Sequence, residues 1–70
     1  MMNKVEMMIE ELENNNKVVG NVKFADGTVQ SIEMCDELDD VVAVEAIDLE
    51  QYEANGYDVD GLQGTWMEVK

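Results

Sequence analysis

The stretch Lys17–Met34, KVVGNVKFADGTVQSIEM, decides how this chain folds. Two runs rich in β-branched residues flank Ala25-Asp26-Gly27, and runs of that kind around an Asp-Gly step read as a β-hairpin. Side-chain alternation tests the loop length, because a one-residue slip carries every side chain to the other face. A two-residue loop at Asp26-Gly27 would pair Ala25 with Thr28 and Val22 with Ser31, mixing apolar and polar residues on both faces. A three-residue loop, a type I turn with Gly27 in the left-handed conformation of a G1 bulge, pairs Phe24 with Thr28, Gly20 with Ile32 and Val18 with Met34. One face then gathers Val18, Gly20, Val22, Phe24, Ile32 and Met34, and the other carries Asn21, Lys23, Ser31 and Glu33, with Val19 and Val29 out of pattern. The bulged register is the one the sequence predicts.

Upstream, Val5, Met8, Ile9 and Leu12 recur at the spacing of one helical face between Asn3 and about Asn15. Asn3 is the expected N-cap, with Glu6 as its capping-box partner, and Asn14-Asn15-Asn16 ends the helix. The Met-rich face around Met7 and Met8 reads as core stripe rather than partner groove.

Downstream, Val41–Ile47 (VVAVEAI) is rich in β-branched residues and reads as a third strand. Leu38, Val41, Val42, Glu45 and Leu49 also approximate helical spacing, so a helix over 37–52 is the competing reading. Asp48 is the expected cap of a short helix over Leu49–Asn55, and Gly56 sits where a terminating glycine belongs. Tyr57–Gln63 reads as an acidic connection, irregular or briefly extended, and Thr65–Val69 as a last strand with Trp66 in a core role. The predicted architecture is a single α+β domain over residues 1–70, of order α-β-β-β-α-β, with an antiparallel sheet carrying helices on one face.

Seventy residues bury only about 60% of their unfolded surface, and the four aromatics leave the core to Val, Ile, Leu and Met. Seventeen acidic residues against four lysines give a net charge of −13. That balance opposes direct binding to nucleic acid or to an anionic membrane, both of which demand cations on the protein. It suits a basic protein partner, and it also serves solubility. No stretch approaches the about 20 apolar residues of a membrane span, and Glu6, Glu10 and Glu11 cut the N-terminal apolar run, so a cytoplasmic protein without a secretion signal is expected.

The absence of histidine removes His-based triads and the usual His-containing zinc sites, so no enzymatic activity and no resident cofactor or metal are expected. Cys35 stands beside Asp36 and Glu37, which oppose a reactive thiolate, and reads as a structural thiol. Asp58, Asp60 and Gly61 match the third, fifth and sixth positions of an EF-hand loop, but Gly56 and Met67 occupy the positions that need carboxylates. A weak acidic cation-binding role is the least favoured reading. The carboxylates concentrate instead in two clusters, Asp36, Glu37, Asp39 and Asp40 after the hairpin, and Glu50, Glu53, Asp58 and Asp60 around the second helix, where Tyr57 adds an aromatic contact. These are the candidate partner-binding residues. On an extended strand Asp58 and Asp60 would stand about 6.8 Å apart, a charge spacing of the same order as the about 3.4 Å between phosphates of a DNA strand.

In size and charge over its whole length the chain resembles phage-encoded inhibitors of bacterial defence systems, including anti-CRISPR and anti-restriction proteins that imitate DNA. That resemblance rests on no motif and transfers no site residues. It implies a non-enzymatic inhibitor of a basic, nucleic-acid-processing partner. The alternative is a small structural or regulatory module, a subunit or immunity protein, working through a hydrophobic strand edge or the Met-rich helix; the composition leaves homo-oligomerisation open.

Overall fold

The structure, a computed structural model, describes residues 3–69. Helix α1 (Lys4–Asn14) precedes strands β1 (Lys17–Phe24) and β2 (Val29–Ser31), a 3-10 turn (Ile32–Met34), strand β3 (Val41–Asp48), helix α2 (Leu49–Ala54) and strand β4 (Thr65–Glu68). The strands form one antiparallel sheet in the order β2-β1-β3-β4. This is the predicted α+β order, and the helical reading of residues 37–52 gives way to the strand that its β-branched side chains favour.

The hairpin adopts the predicted register, with Asn21 opposite Ser31, Val22 opposite Gln30 and Lys23 opposite Val29. Phe24 N donates to the Thr28 carbonyl at 2.8 Å, Gly27 N donates to the Phe24 carbonyl at 2.9 Å, and Gly27 takes φ +92°. Asp26 Oδ1 fastens the loop by accepting from Thr28 Oγ1 at 2.7 Å and Thr28 N at 3.0 Å. The ladder is shorter than expected. Ser31 Oγ accepts from Glu33 N at 3.4 Å and starts the 3-10 turn, so the Gly20–Ile32 and Val18–Met34 pairs do not form and Met34 is left exposed.

Two irregularities in the β1–β3 ladder set the faces. Val19 lies opposite Ala46 and Val22 opposite Val44, so β1 carries one extra residue at Gly20-Asn21; between Lys23/Ala43 and Phe24/Val41 the extra residue is Val42 of β3. The first bulge divides the apolar face expected for β1. Val19 and Val22 turn to the same side, joining Val41, Val44 and Ala46 beneath Val5 and Leu12 of α1. Val18, opposite Ile47, turns to the other side with Gly20. Helix α1 begins as predicted, Asn3 Oδ1 accepting from Glu6 N at 2.8 Å, and Met8 and Ile9 pack at the rim of this core while Met7 stays exposed.

The opposite face is closed by α2 and the loop after it. Leu49 N donates to the Asn16 carbonyl at 3.0 Å, which seats α2 beside the start of β1. Asp48 does not cap α2 with its side chain; its carboxylate pairs with Lys17 on the neighbouring strand instead. The helix ends on Gly56 (φ +72°), with Gly56 N donating to the Glu53 carbonyl and Tyr57 N to the Tyr52 carbonyl, the two bonds of a Schellman motif. Val59 then lies over Gly20, where a Cβ would come within 3.2 Å of Val59 and 2.6 Å of Ile47. The expectation of helices on one face therefore fails: α1 covers one side, and Tyr52, Tyr57 and Val59 gather over Val18 and Gly20 on the other.

Candidate interaction surface

The first acidic cluster is built by an inward-outward alternation in the connection from the 3-10 turn to β3. Leu38 and Cys35 turn against the core, and Asp36, Glu37, Asp39 and Asp40 are exposed. The backbone is held by Ala25 N donating to the Asp40 carbonyl at 2.9 Å and Val41 N to the Leu38 carbonyl at 3.3 Å, and the Asp39 side chain accepts from Asn3 Nδ2 at 3.4 Å. Cys35 is half-buried and its Sγ donates to the Ser31 carbonyl at 3.3 Å, a structural placement.

The second cluster lies beyond the other end of β3. Glu50 and Glu53 are exposed on α2, and Tyr57, Asp58 and Asp60 are exposed on the loop after it. That loop is a turn, which corrects the extended spacing expected for Asp58 and Asp60. Asp58 Oδ1 accepts from Asp60 N at 3.0 Å, while Asn55 Nδ2 donates to the carbonyls of Asp58 at 2.7 Å and Asp60 at 2.9 Å. Tyr57 adopts φ +60° and stands edge-on to Tyr52 with ring centroids 5.6 Å apart. Among the described residues no group of three or more carboxylate or thiol side chains converges as a metal site would require.

One cluster precedes Val41 and the other comes after Asp48, the two ends of β3, while Ile32 and Glu33 just before the first cluster line one depression with Tyr57 and Asp58 of the second.

Two residues that the sequence did not single out as site residues shape the region between them. Glu45, only 8% exposed, accepts from Asn21 Nδ2 at 2.8 Å through Oε1 and from Gly64 N at 3.2 Å through Oε2. It joins β1, β3 and the approach to β4 with both oxygens hydrogen-bonded, as a buried carboxylate requires. Trp66 was expected in the core but is 44% exposed, because β4 is an edge strand and its side chain stands opposite Glu45 on the face that α1 does not cover. No described helix is long and apolar enough to cross a membrane. Comparison of the chain with protein-family models, curated proteins and solved structures finds no match.

Proposed function

We propose that this chain is a non-enzymatic binding protein for a basic partner that handles nucleic acid, and that it inhibits that partner by occupying the groove the phosphates would use. The observation carrying this reading is the exposure of every carboxylate in both clusters, on backbone held by hydrogen bonds, in a chain of net charge −13. A strongly acidic surface accelerates encounter with a cationic groove, and an ordered backbone beneath it limits the freedom lost on binding.

The experiment is competition. A basic nucleic-acid-binding protein captured in a salt-sensitive manner is purified and titrated with the chain in the presence of duplex DNA. DNA and the chain are expected to exclude one another. Equal binding with the nucleic-acid groove filled contradicts the mimic mechanism. The exposure of Met7, Trp66 and Met67 favours a second reading, a regulatory module that binds through the β4 edge and α1; it predicts binding that high salt leaves intact.

A further inference from the structure

Strand β4 is an outer strand of the sheet, paired with β3 on one side and open on the other. Which of its backbone groups face outward follows from one hydrogen bond. Val69 N donates to the Val42 carbonyl at 2.9 Å, one step beyond the Ala43–Glu68 pair. Bonded and non-bonded pairs alternate along an antiparallel ladder, so Thr65 and Met67 also turn their N–H and C=O groups to β3, and Trp66 and Glu68 turn theirs outward. On the face that α1 covers, the Met67 side chain, opposite the buried Val44, borders a groove with Lys4, Met7, Met8 and Glu11. Met7 and Met67 are 60% and 38% exposed, an apolar surface that ends at the open strand edge.

We propose that the β4 edge pairs with the same edge of a second copy, joining two four-stranded sheets side by side into one. Two separate patterns select this occupant. The first is in the backbone. A twofold axis perpendicular to the sheet, passing between the Met67 residues of the two copies, sets each Trp66 opposite the other copy's Glu68. The hydrogen bonds of those two pairs use every outward N–H and C=O of Trp66 and Glu68 in both copies. A register centred on Trp66 would instead call on Gly64, whose N–H is already held by Glu45 Oε2 at 3.2 Å. The second pattern is on α1. The groove places Met67 beside Met7 and Met8, so the same axis runs the two α1 helices antiparallel with those methionines facing. Lys4 stands three residues before Met7 and Glu11 three after Met8, so Lys4 of each copy meets Glu11 of the other. Each α1 flank already borders its own β4, and paired strands lie about 4.8 Å apart, so the flanks approach across one inter-strand step. An isologous interface requires this self-complementarity. An unrelated strand could take the edge hydrogen bonds, but a basic one would meet Lys4 as a like charge, which costs affinity. Among the described residues the one ion pair within the chain is Lys17 with Asp48, so Lys4 and Glu11 keep their charges for the interface. The loop after α2 does not obstruct it, because Val59 lies over Gly20 of β1, two strands in from this edge.

This inference does not rest on the acidic clusters, none of whose carboxylates belongs to β4 or to the α1 groove. Salt separates the two. Binding of a basic partner weakens as salt rises. Dimerisation of two chains of charge −13 is opposed by their net repulsion, so it tightens between about 0.01 M and about 0.15 M ionic strength, where the screening length falls from about 30 Å to about 8 Å.

The test is sedimentation equilibrium of the full chain up to millimolar concentration, at about 0.15 M ionic strength. Dimer formation is expected. Glu68→Pro removes an outward N–H that the β3–β4 ladder does not use and sets a ring on the free edge, so it should keep the native circular dichroism and weaken the dimer by at least about tenfold. Lys4→Glu and Glu11→Lys, on the exposed flank of α1, carry the test without touching the sheet. Each should weaken the dimer by about tenfold, because every substitution acts at two symmetry-related contacts. Mixing these two variants should restore dimer, since the mixed pair again sets opposite charges against each other at both contacts. A chain that stays monomeric at millimolar concentration overturns the proposal. So does a dimer that folded Glu68→Pro leaves intact, one that neither charge variant weakens, or two weakened charge variants that do not recover on mixing.

Discussion

Under α1 the sheet is closed by branched side chains, Val5 and Leu12 meeting Val19, Val22, Val44 and Ala46, whereas on the opposite face Ile47 is covered by a loop residue, Val59, lying over a glycine, with the Glu45 carboxylate beside it. The first arrangement tolerates small adjustments, since non-directional apolar contact is what holds it. The second depends on close backbone approach at Gly20 and Gly64 and on hydrogen bonds that must all be made. Apolar patterning alone closed the first face; directional chemistry closed the second, and it stopped halfway, leaving Trp66 and Val42 in the open.

The contrast between the faces is sharpest at Gly64. A Cβ there would collide with the Ala46 carbonyl oxygen and stand 2.7 Å from Glu45 Cγ and 2.9 Å from Ile47 Cγ1. Because backbone is among the obstacles, Gly64→Ala is expected to cost about 3 kcal/mol, read from chemical denaturation. An unchanged midpoint would mean that the second face is as adaptable as the first.

Glu45→Ala comes next. It leaves the half-buried Asn21 amide and Gly64 N without their acceptor, for an expected loss of about 1–3 kcal/mol. Glu45→Gln keeps one side-chain oxygen and should cost less. If the two variants are equally destabilised, the carboxylate's hydrogen bonds are not what closes this face.

Gly27→Val probes the hairpin that both faces share. A β-branched residue at φ +92° is strained, and a loss of about 1–3 kcal/mol is expected by thermal unfolding. Little or no loss would mean that the turn relaxes to another geometry.

The smallest effect concerns Asp26 in the same loop. The hydroxyl of Thr28, and then its N–H, donate to this carboxylate and hold its pKa below the ordinary aspartate value. A depressed folded-state pKa stabilises the fold above the unfolded pKa, and that contribution disappears as pH falls through the lower, folded value. Asp26 is fully exposed, so its share is slight. Thr28→Val should raise the Asp26 pKa in a carbon-detected titration; an unmoved value would remove the hydroxyl as its cause.

Local signals made much of this legible in the sequence. Ala25-Asp26-Gly27 with its flanking alternation specified the register, Asn3 with Glu6 specified the helix start, and Gly56 specified the end of α2. Both acidic clusters were legible as surface because so many carboxylates close together in the chain seek water. The features that escaped depend on residues distant in the chain. The bulge at Gly20-Asn21 exists only against β3, and it alone explains why Val19 is buried while Val18 turns away. Glu45 was read only as part of the Val41–Ile47 run, since its hydrogen-bond partners lie 24 and 19 residues away. Trp66 looked like core because nothing local marks a strand as an edge. Asp48 was available both to cap α2 and to meet Lys17, and the cross-strand ion pair prevailed.

The central claim is that the two acidic ends, not the open face between them, receive the basic partner. Amide chemical-shift mapping of the isotope-labelled chain against that purified partner tests it most directly. The account predicts that perturbations gather at residues 36–40 and 50–60 and collapse when the carboxylates of both clusters are neutralised. Perturbations confined to Lys23, Val29, Val42 and Trp66, and indifferent to that neutralisation, would contradict it.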